Sequence, residues 1–220
     1  TELDQQAMYK PLTKWNTTVD RVDQIPGAVR GAFRAMTTGR PGAAHICLPY
    51  DLQKQAIDPA EVWAQPGHDR VPAYRSAPDP AEVERAADKL VAARSPVIIC
   101  GGGVVIAGAC DALAALATEL RAPVCTTVSG QGSLADTHPL NAGVVGTNGG
   151  VASTRAVVAQ ADLVLFVGCR AGSTTTEHWQ MPARSVTILH LDVDGQTIGT
   201  NYRTDVALVG DALLGLQALE

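Results

Sequence analysis

The 220-residue sequence predicts a doubly wound α/β domain, a parallel sheet with helices on both faces, preceded by part of something else. Two observations carry this. Short runs without a polar face, Pro96-Val97-Ile98-Ile99-Cys100 and Leu163-Val164-Leu165-Phe166-Val167 among them, alternate with stretches whose apolar residues recur every three or four positions. Strands apolar on both sides are buried on both sides, and in this alternating order they form a parallel sheet. Glycine clusters then follow the strands, as tight strand-to-helix turns require.

The elements follow in order. The opening, Thr1 to Lys10, is polar and has no helix-start signal. Ile25, Val29, Phe33 and Met36 recur at helical spacing and predict a helix from Pro26 to Thr38, with Asp23 as N-cap and Gly39 as stop. Ala43 to Pro49 reads as a short buried strand. One helix and one strand enclose no core, so residues 1–51 require neighbours that the sequence does not contain, and Phe33, Ile46 and Leu48 are expected to lie exposed. Residues 52–78 carry Pro59, Pro66, Pro72 and Pro78 without a sustained period, and read as a linker. Residues 79–220 form the main domain. Asp79-Pro80-Ala81-Glu82 resembles a capping box and opens a helix striped by Val83, Ala86, Ala87, Leu90 and Val91. After the strand at 96–100 come a helix with Leu113, Leu116, Ala117 and Leu120 on one face, a strand at 123–127 and a helix near 151–160. Strands at 163–167, 186–191 and 206–209 precede a closing helix near Asp211. Right-handed crossovers make this order Rossmann-like.

Composition excludes several functions. The formal charge is −5 and no Lys/Arg run exists, so neither nucleic acid nor an anionic membrane surface is an expected partner. No apolar run spans a bilayer, and no secretory signal opens the sequence. Cys47, Cys100, Cys110, Cys125 and Cys169 lack CxxC spacing and read as reduced, mostly buried thiols, in keeping with a cytoplasmic protein. No metal-ligand spacing appears among His, Asp and Glu.

In such a sheet, ligands bind at the carboxyl ends of the strands. There the sequence places Gly101-Gly102-Gly103, Ser129-Gly130-Gln131-Gly132-Ser133, Gly146-Thr147-Asn148-Gly149-Gly150 and Gly168-Cys169-Arg170-Ala171-Gly172. Asp192-Val193-Asp194-Gly195 and Gly210-Asp211 complete the row. Arg170 is the best-placed cation, and Asp192 or Asp194 suits a ribose hydroxyl. The same glycines also serve any tight turn. The G-x-G-x-x-G fingerprint fails at Ile106, no acid ends the second strand, and no P-loop occurs, which argues against an NAD dehydrogenase. Acid–base candidates are sparse: His45 and His190 sit in strands, while His138 and His178 sit in loops. The sequence offers a place to bind and no machinery to react.

Glu2-Leu3-Asp4-Gln5, Lys10 to Trp15, Ile25 to Arg30, Thr37 to Gly42 and Leu48-Pro49-Tyr50-Asp51 resemble the end of the pyrimidine-binding domain of thiamine-diphosphate-dependent enzymes of the acetolactate synthase type. Pro96 to Gly103, Ala161 to Arg170, Leu191 to Asp194, Ile198-Gly199 and Val209-Gly210-Asp211 resemble that family's central domain, in the family's order. The resemblance implies that the thiamine-activating glutamate lies upstream of Thr1. It also implies that the Gly-Asp-Gly element for Mg²⁺ and diphosphate follows Glu220, so this chain carries no catalytic residue and is inactive alone. Its partners would be the missing pyrimidine- and diphosphate-binding domains, in a homo-oligomeric parent. The central domain of relatives holds FAD or ADP, or is empty. Gly101, Gly102, Gly103, Thr126, Gly130, Gly146, Gly168, Arg170, Asp192 and Asp211 match the loops that hold FAD. The alternatives are an autonomous nucleotide- or coenzyme-A-binding module without catalysis, and an interaction domain with an empty crevice.

Overall fold

The computed structural model describes residues 3–220, and its contacts divide the chain between Tyr74 and Arg75. In the first unit, α1 (Gln5–Tyr9) starts at Asp4, whose carboxylate accepts the Ala7 N–H at 2.9 Å. Strand β1 (Trp15–Thr18) pairs in parallel with β2 (Ala44–Cys47), and α2 (Ile25–Thr37) connects them. The helix begins one residue before its predicted start, after a 3-10 turn over Val22–Gln24. Asp23 does not cap it, because its carboxylate is taken by Arg21. At the other end, Lys14 Nζ donates to the carbonyls of Thr38 (2.5 Å) and Arg40 (2.8 Å), just beyond the last turn of α2.

Little of this unit is sealed. Its buried apolar side chains, among the described residues, are Val19, Ala32, Leu52 and Ala73. Phe33 and Leu48 are 47% and 40% exposed, and Ile46 is half-buried. The stretch read as a linker holds only 3-10 turns at Leu52–Lys54 and Pro59–Glu61. It is nonetheless fastened along α2. Ala73 N–H donates to Thr37 O at 2.9 Å, His68 Nδ1 meets Thr37 Oγ1 at 2.9 Å, and the Arg30 guanidinium lies 3.9 Å above the Trp63 ring.

The second unit, Arg75–Glu220, begins with α3 (Pro80–Ala92). Asp79 caps it through the Ala81 N–H at 2.9 Å, while Glu82 pairs with Arg85. There follow β3 (Pro96–Cys100), α4 (Gly102–Ile106), α5 (Cys110–Leu120), β4 (Val124–Thr126) and β5 (Asn141–Val144). After these come α6 (Ala152–Ala159), β6 (Leu163–Val167), β7 (Thr187–Asp192), β8 (Val206–Val209) and α7 (Ala212–Leu219). All six strands are parallel, in the order β5-β4-β3-β6-β7-β8. The chain thus starts at the centre, winds to one edge, returns and winds to the other, which is the doubly wound order the sequence predicts.

Alternation along the strands divides the core into two layers. Ile98, Cys100, Leu165, Val167, Leu189 and Leu191 pack under α3, α4, α5 and α7. Val97, Ile99, Val164, Phe166 and Ile188 face α6 together with Ala171, Met181 and Tyr202. Between β6 and β7, and between β7 and β8, no α-helix forms, and irregular chain covers the second face in its place.

Candidate functional site

Every residue expected at the site lies at the carboxyl edge of the six-stranded sheet. Gly101, Gly102 and Gly103 follow β3, Thr126 ends β4, Gly130 closes a 3-10 turn, and Gly146 lies just beyond β5. Gly168 and Arg170 follow β6, Asp192 ends β7, and Asp211 caps α7. The strand order reverses between β3 and β6, whose exits lead to opposite faces of the sheet, the position at which open α/β sheets bind ligands.

The two loops at this switch point are stitched together. Gly101 N–H donates to Val167 O at 2.9 Å, and Gly103 N–H to Gly168 O at 3.1 Å. A Cβ on Gly103 would stand 2.6 Å from Gly168 Cα, so neither position has room for a side chain. These glycines allow backbone to meet backbone. Gly102 faces Ser129 instead, whose side chain is exposed. Arg170 is exposed, and among the described residues no ion pair holds its guanidinium.

The acidic residues divide by task. Asp211 is buried, and one carboxylate oxygen accepts the N–H groups of Leu213 (3.1 Å) and Leu214 (3.3 Å) and the Arg75 guanidinium (2.6 Å). That carboxylate holds α7 and the start of the unit in place. Asp194 accepts from Gln196 N–H at 3.0 Å and Thr197 Oγ1 at 3.4 Å and so fixes its own turn. Asp192, buried at the end of β7, accepts the Asp194 N–H at 2.9 Å.

Other groups near the edge are structural. Cys100 Sγ and Ser133 Oγ lie 3.0 Å apart, with Ser133 donating to Gly130 O at 2.6 Å. Burial pushes Cys100 up to about 11, Cys125 up to about 12 and Cys169 up to about 11, so these thiols are poor nucleophiles. His190 is buried and donates from Nε2 to Cys169 O at 2.8 Å. In the first unit His45 stacks on Tyr9 at 4.1 Å, and its buried Nδ1 has no partner among the described residues. No three of His, Cys, Asp and Glu gather to hold a metal ion among the described residues.

From the sequence, Glu177, His178 and Trp179 after Thr174-Thr175-Thr176 read either as a pocket mouth or as a solvated turn. The stretch 171–181 reaches from β6 to the loop after β5, where Thr147 N–H donates to Thr174 O at 2.9 Å. There Glu177, His178 and Trp179 all adopt left-handed conformations, with φ of 49°, 58° and 62°. Glu177 pairs with Arg155 of α6 at 3.2 Å. No glycine lies among Glu177, His178 and Trp179 to announce their left-handed backbone.

The sheet order and the small-residue loops at its switch point define a Rossmann-like domain. Residues 83–219 match the family model described as thiamine pyrophosphate enzyme, central domain. The chain belongs to this family. It is 38% identical over 213 residues to a probable acetolactate synthase large subunit of Methanocaldococcus jannaschii, covering 96% of this chain and 36% of the relative. It is 32% identical over 218 residues to glyoxylate carboligase of Escherichia coli O157:H7, covering 99% of this chain and 36% of that protein. The chain therefore spans little more than a third of these relatives. Benzoylformate decarboxylase from Polynucleobacter necessarius shares the fold, with a TM-score of 0.82 at 23% identity, over 100% of this chain and 40% of that one.

Proposed function

We propose that this chain is the central domain, with the end of the preceding pyrimidine-binding domain, of a thiamine-diphosphate-dependent carboligase or decarboxylase acting on 2-oxo acids. The observation that carries the reading is the likeness, along nearly the whole chain, to an acetolactate synthase large subunit and to a carboligase of glyoxylate, itself a 2-oxo acid. Thiamine diphosphate in such an enzyme supplies stabilisation of a carbanion. It and Mg²⁺ would be held by domains on either side, in a homo-oligomeric parent, and residues 1–220 would act as scaffold.

The switch-point crevice is the proposed seat of FAD or ADP, and the residues present fit such a group. Gly102, Gly103 and Gly168 are partly exposed main chain without side chains, beside the buried Gly101, with Thr126, Gly130 and Gly146 in the neighbouring loops. Arg170 offers an exposed guanidinium to diphosphate oxygens, and Asp192 stands at the end of β7 where a ribose hydroxyl is received. Val128 and Val193, exposed on the same edge, offer apolar contact to a ring. Asp211 would act indirectly, by fixing α7.

Equilibrium dialysis of the 220-residue chain against FAD and ADP tests the crevice. Saturable binding is expected, weakened about 10- to 100-fold by Arg170→Ala, the worth of a hydrogen bond to a charged group. Neither ligand retained would sink the nucleotide reading. In parallel, the chain supplied with thiamine diphosphate, Mg²⁺ and pyruvate is expected to release no CO₂, and turnover would refute the scaffold role. A second reading, an autonomous coenzyme-A-binding module, draws on the complete sheet of Arg75–Glu220. Retention of coenzyme A with rejection of FAD would favour it.

A further inference from the structure

We propose that Asn148 is a modification site, at which the main-chain nitrogen of Gly149 attacks the side-chain amide and converts the residue to aspartate and isoaspartate. Asparagine is among the thermolabile residues, and the chain has four, Asn16, Asn141, Asn148 and Asn201. Three of them are fastened by their side-chain amides. Asn16 Nδ2 donates to Gln6 O at 3.1 Å, and Asn201 Nδ2 to Arg170 O at 3.0 Å. Asn141 Nδ2 donates to Leu134 O and Ala135 O at 3.3 and 3.1 Å, while its Oδ1 accepts the Gly143 N–H at 2.9 Å. Asn148 is exposed, and among the described residues its side chain makes no hydrogen bond.

The following residue decides whether the amide can be reached. Gly149 has no Cβ to crowd its nitrogen, whereas Thr17, Ala142 and Tyr202 follow the other three asparagines. Its φ of 117° is a conformation that suits glycine, and its N–H finds no acceptor among the described residues. The flanking residues are held, Thr147 N–H on Thr174 O at 2.9 Å and Gly150 N–H on Gly146 O at 3.0 Å. Asn148 and Gly149 thus form a tip between two fixed points. The chemistry needs only water. The Gly149 nitrogen loses its proton and bonds to the side-chain carbonyl carbon of Asn148, ammonia leaves carrying that proton, and a cyclic succinimide closes. Water then opens the ring. Breaking the new C–N bond gives aspartate, and breaking the original peptide bond gives isoaspartate. Either product adds a negative charge beside Gly146, and isoaspartate lengthens by one carbon the turn that Gly150 N–H and Gly146 O close.

The test holds the 220-residue chain in warm, mildly alkaline buffer, then digests it and reads each asparagine by mass spectrometry. Electron-transfer fragments separate aspartate from isoaspartate. The mass shift from amide to acid should accumulate at Asn148 before any is measurable at Asn16, Asn141 or Asn201. Both products should form there, because isoaspartate is the signature of the cyclic route and direct hydrolysis gives aspartate alone. Asn148→Gln, whose longer side chain closes a larger and slower ring, should lose the shift over the same time with the loop glycines unchanged. A synthetic peptide of residues 144–152 supplies the rate without the fold, and the folded chain should come within several-fold of it. An intact Asn148 in the folded chain, conversion no faster than at the other asparagines, or aspartate without isoaspartate would each overturn the proposal.

Discussion

His190 reaches the second core layer from β7, near Phe166, and donates to Cys169 O. Burial depresses its pKa below the ordinary 6.5, although the Cys169 carbonyl and Asp192 pull the other way. The unfolded chain therefore binds more protons than the native one as pH falls through 6.5. Stability from this residue is complete above that value and is lost as pH drops through the depressed one. Urea midpoints should fall between about pH 7.5 and about pH 5.5, with a shallower slope in His190→Gln, which keeps a donor and cannot charge. A slope unchanged by the substitution would remove His190 from the account. At the switch point, Gly103→Ala should cost about 1–3 kcal/mol in urea denaturation, because a Cβ there meets Gly168.

Elements differ in how strongly their ends are fixed. Asp79 caps α3 through one N–H, and Asp79→Ala should cost about 1 kcal/mol. Asp211 caps α7 through two N–H groups and also binds Arg75, so Asp211→Ala should cost about 2–4 kcal/mol in the same assay. The central strands were readable because each is apolar on both faces, as Leu163 to Val167 shows. The edge strand β5 was not. Asn141-Ala142-Gly143-Val144 carries no β-branched residue before its last position, and only its place beside β4 makes it a strand. Trp15-Asn16-Thr17-Thr18 and the short α1 escaped for the same reason: neither shows a period of its own. The glycine loops were visible as candidates for the site, but their stitching across β3 and β6 depends on approaches between residues some 65 positions apart. The Arg155–Glu177 pair was hidden likewise, since sequence does not reveal that the chain after β6 comes back to α6.

The two units should respond differently to solvent. Arg75–Glu220 has six strands and two sealed core layers, whereas the preceding unit has a two-stranded sheet and exposed Phe33 and Leu48. Small cores are marginal. Hydrogen exchange followed by mass spectrometry should therefore show β1 and β2 amides exchanging well before those of β6 and β7. Equal protection in both units would mean that the first is stable by itself, contrary to its open faces. Trp15 and Trp63 lie in the first unit and Trp179 in the second, so fluorescence of single-tryptophan variants gives an independent check.

The Arg75–Asp211 link also bears on how such a domain is carried within a longer chain. Asp211 N–H donates to Ser76 O at 2.8 Å, and α3 packs against α7, so the first residues of the unit and its last helix lie side by side. A domain whose incoming and outgoing strands are neighbours can be spliced into a host between two segments without forcing them apart. The ion pair thus works as a clasp that keeps the first residues of the unit beside its last helix.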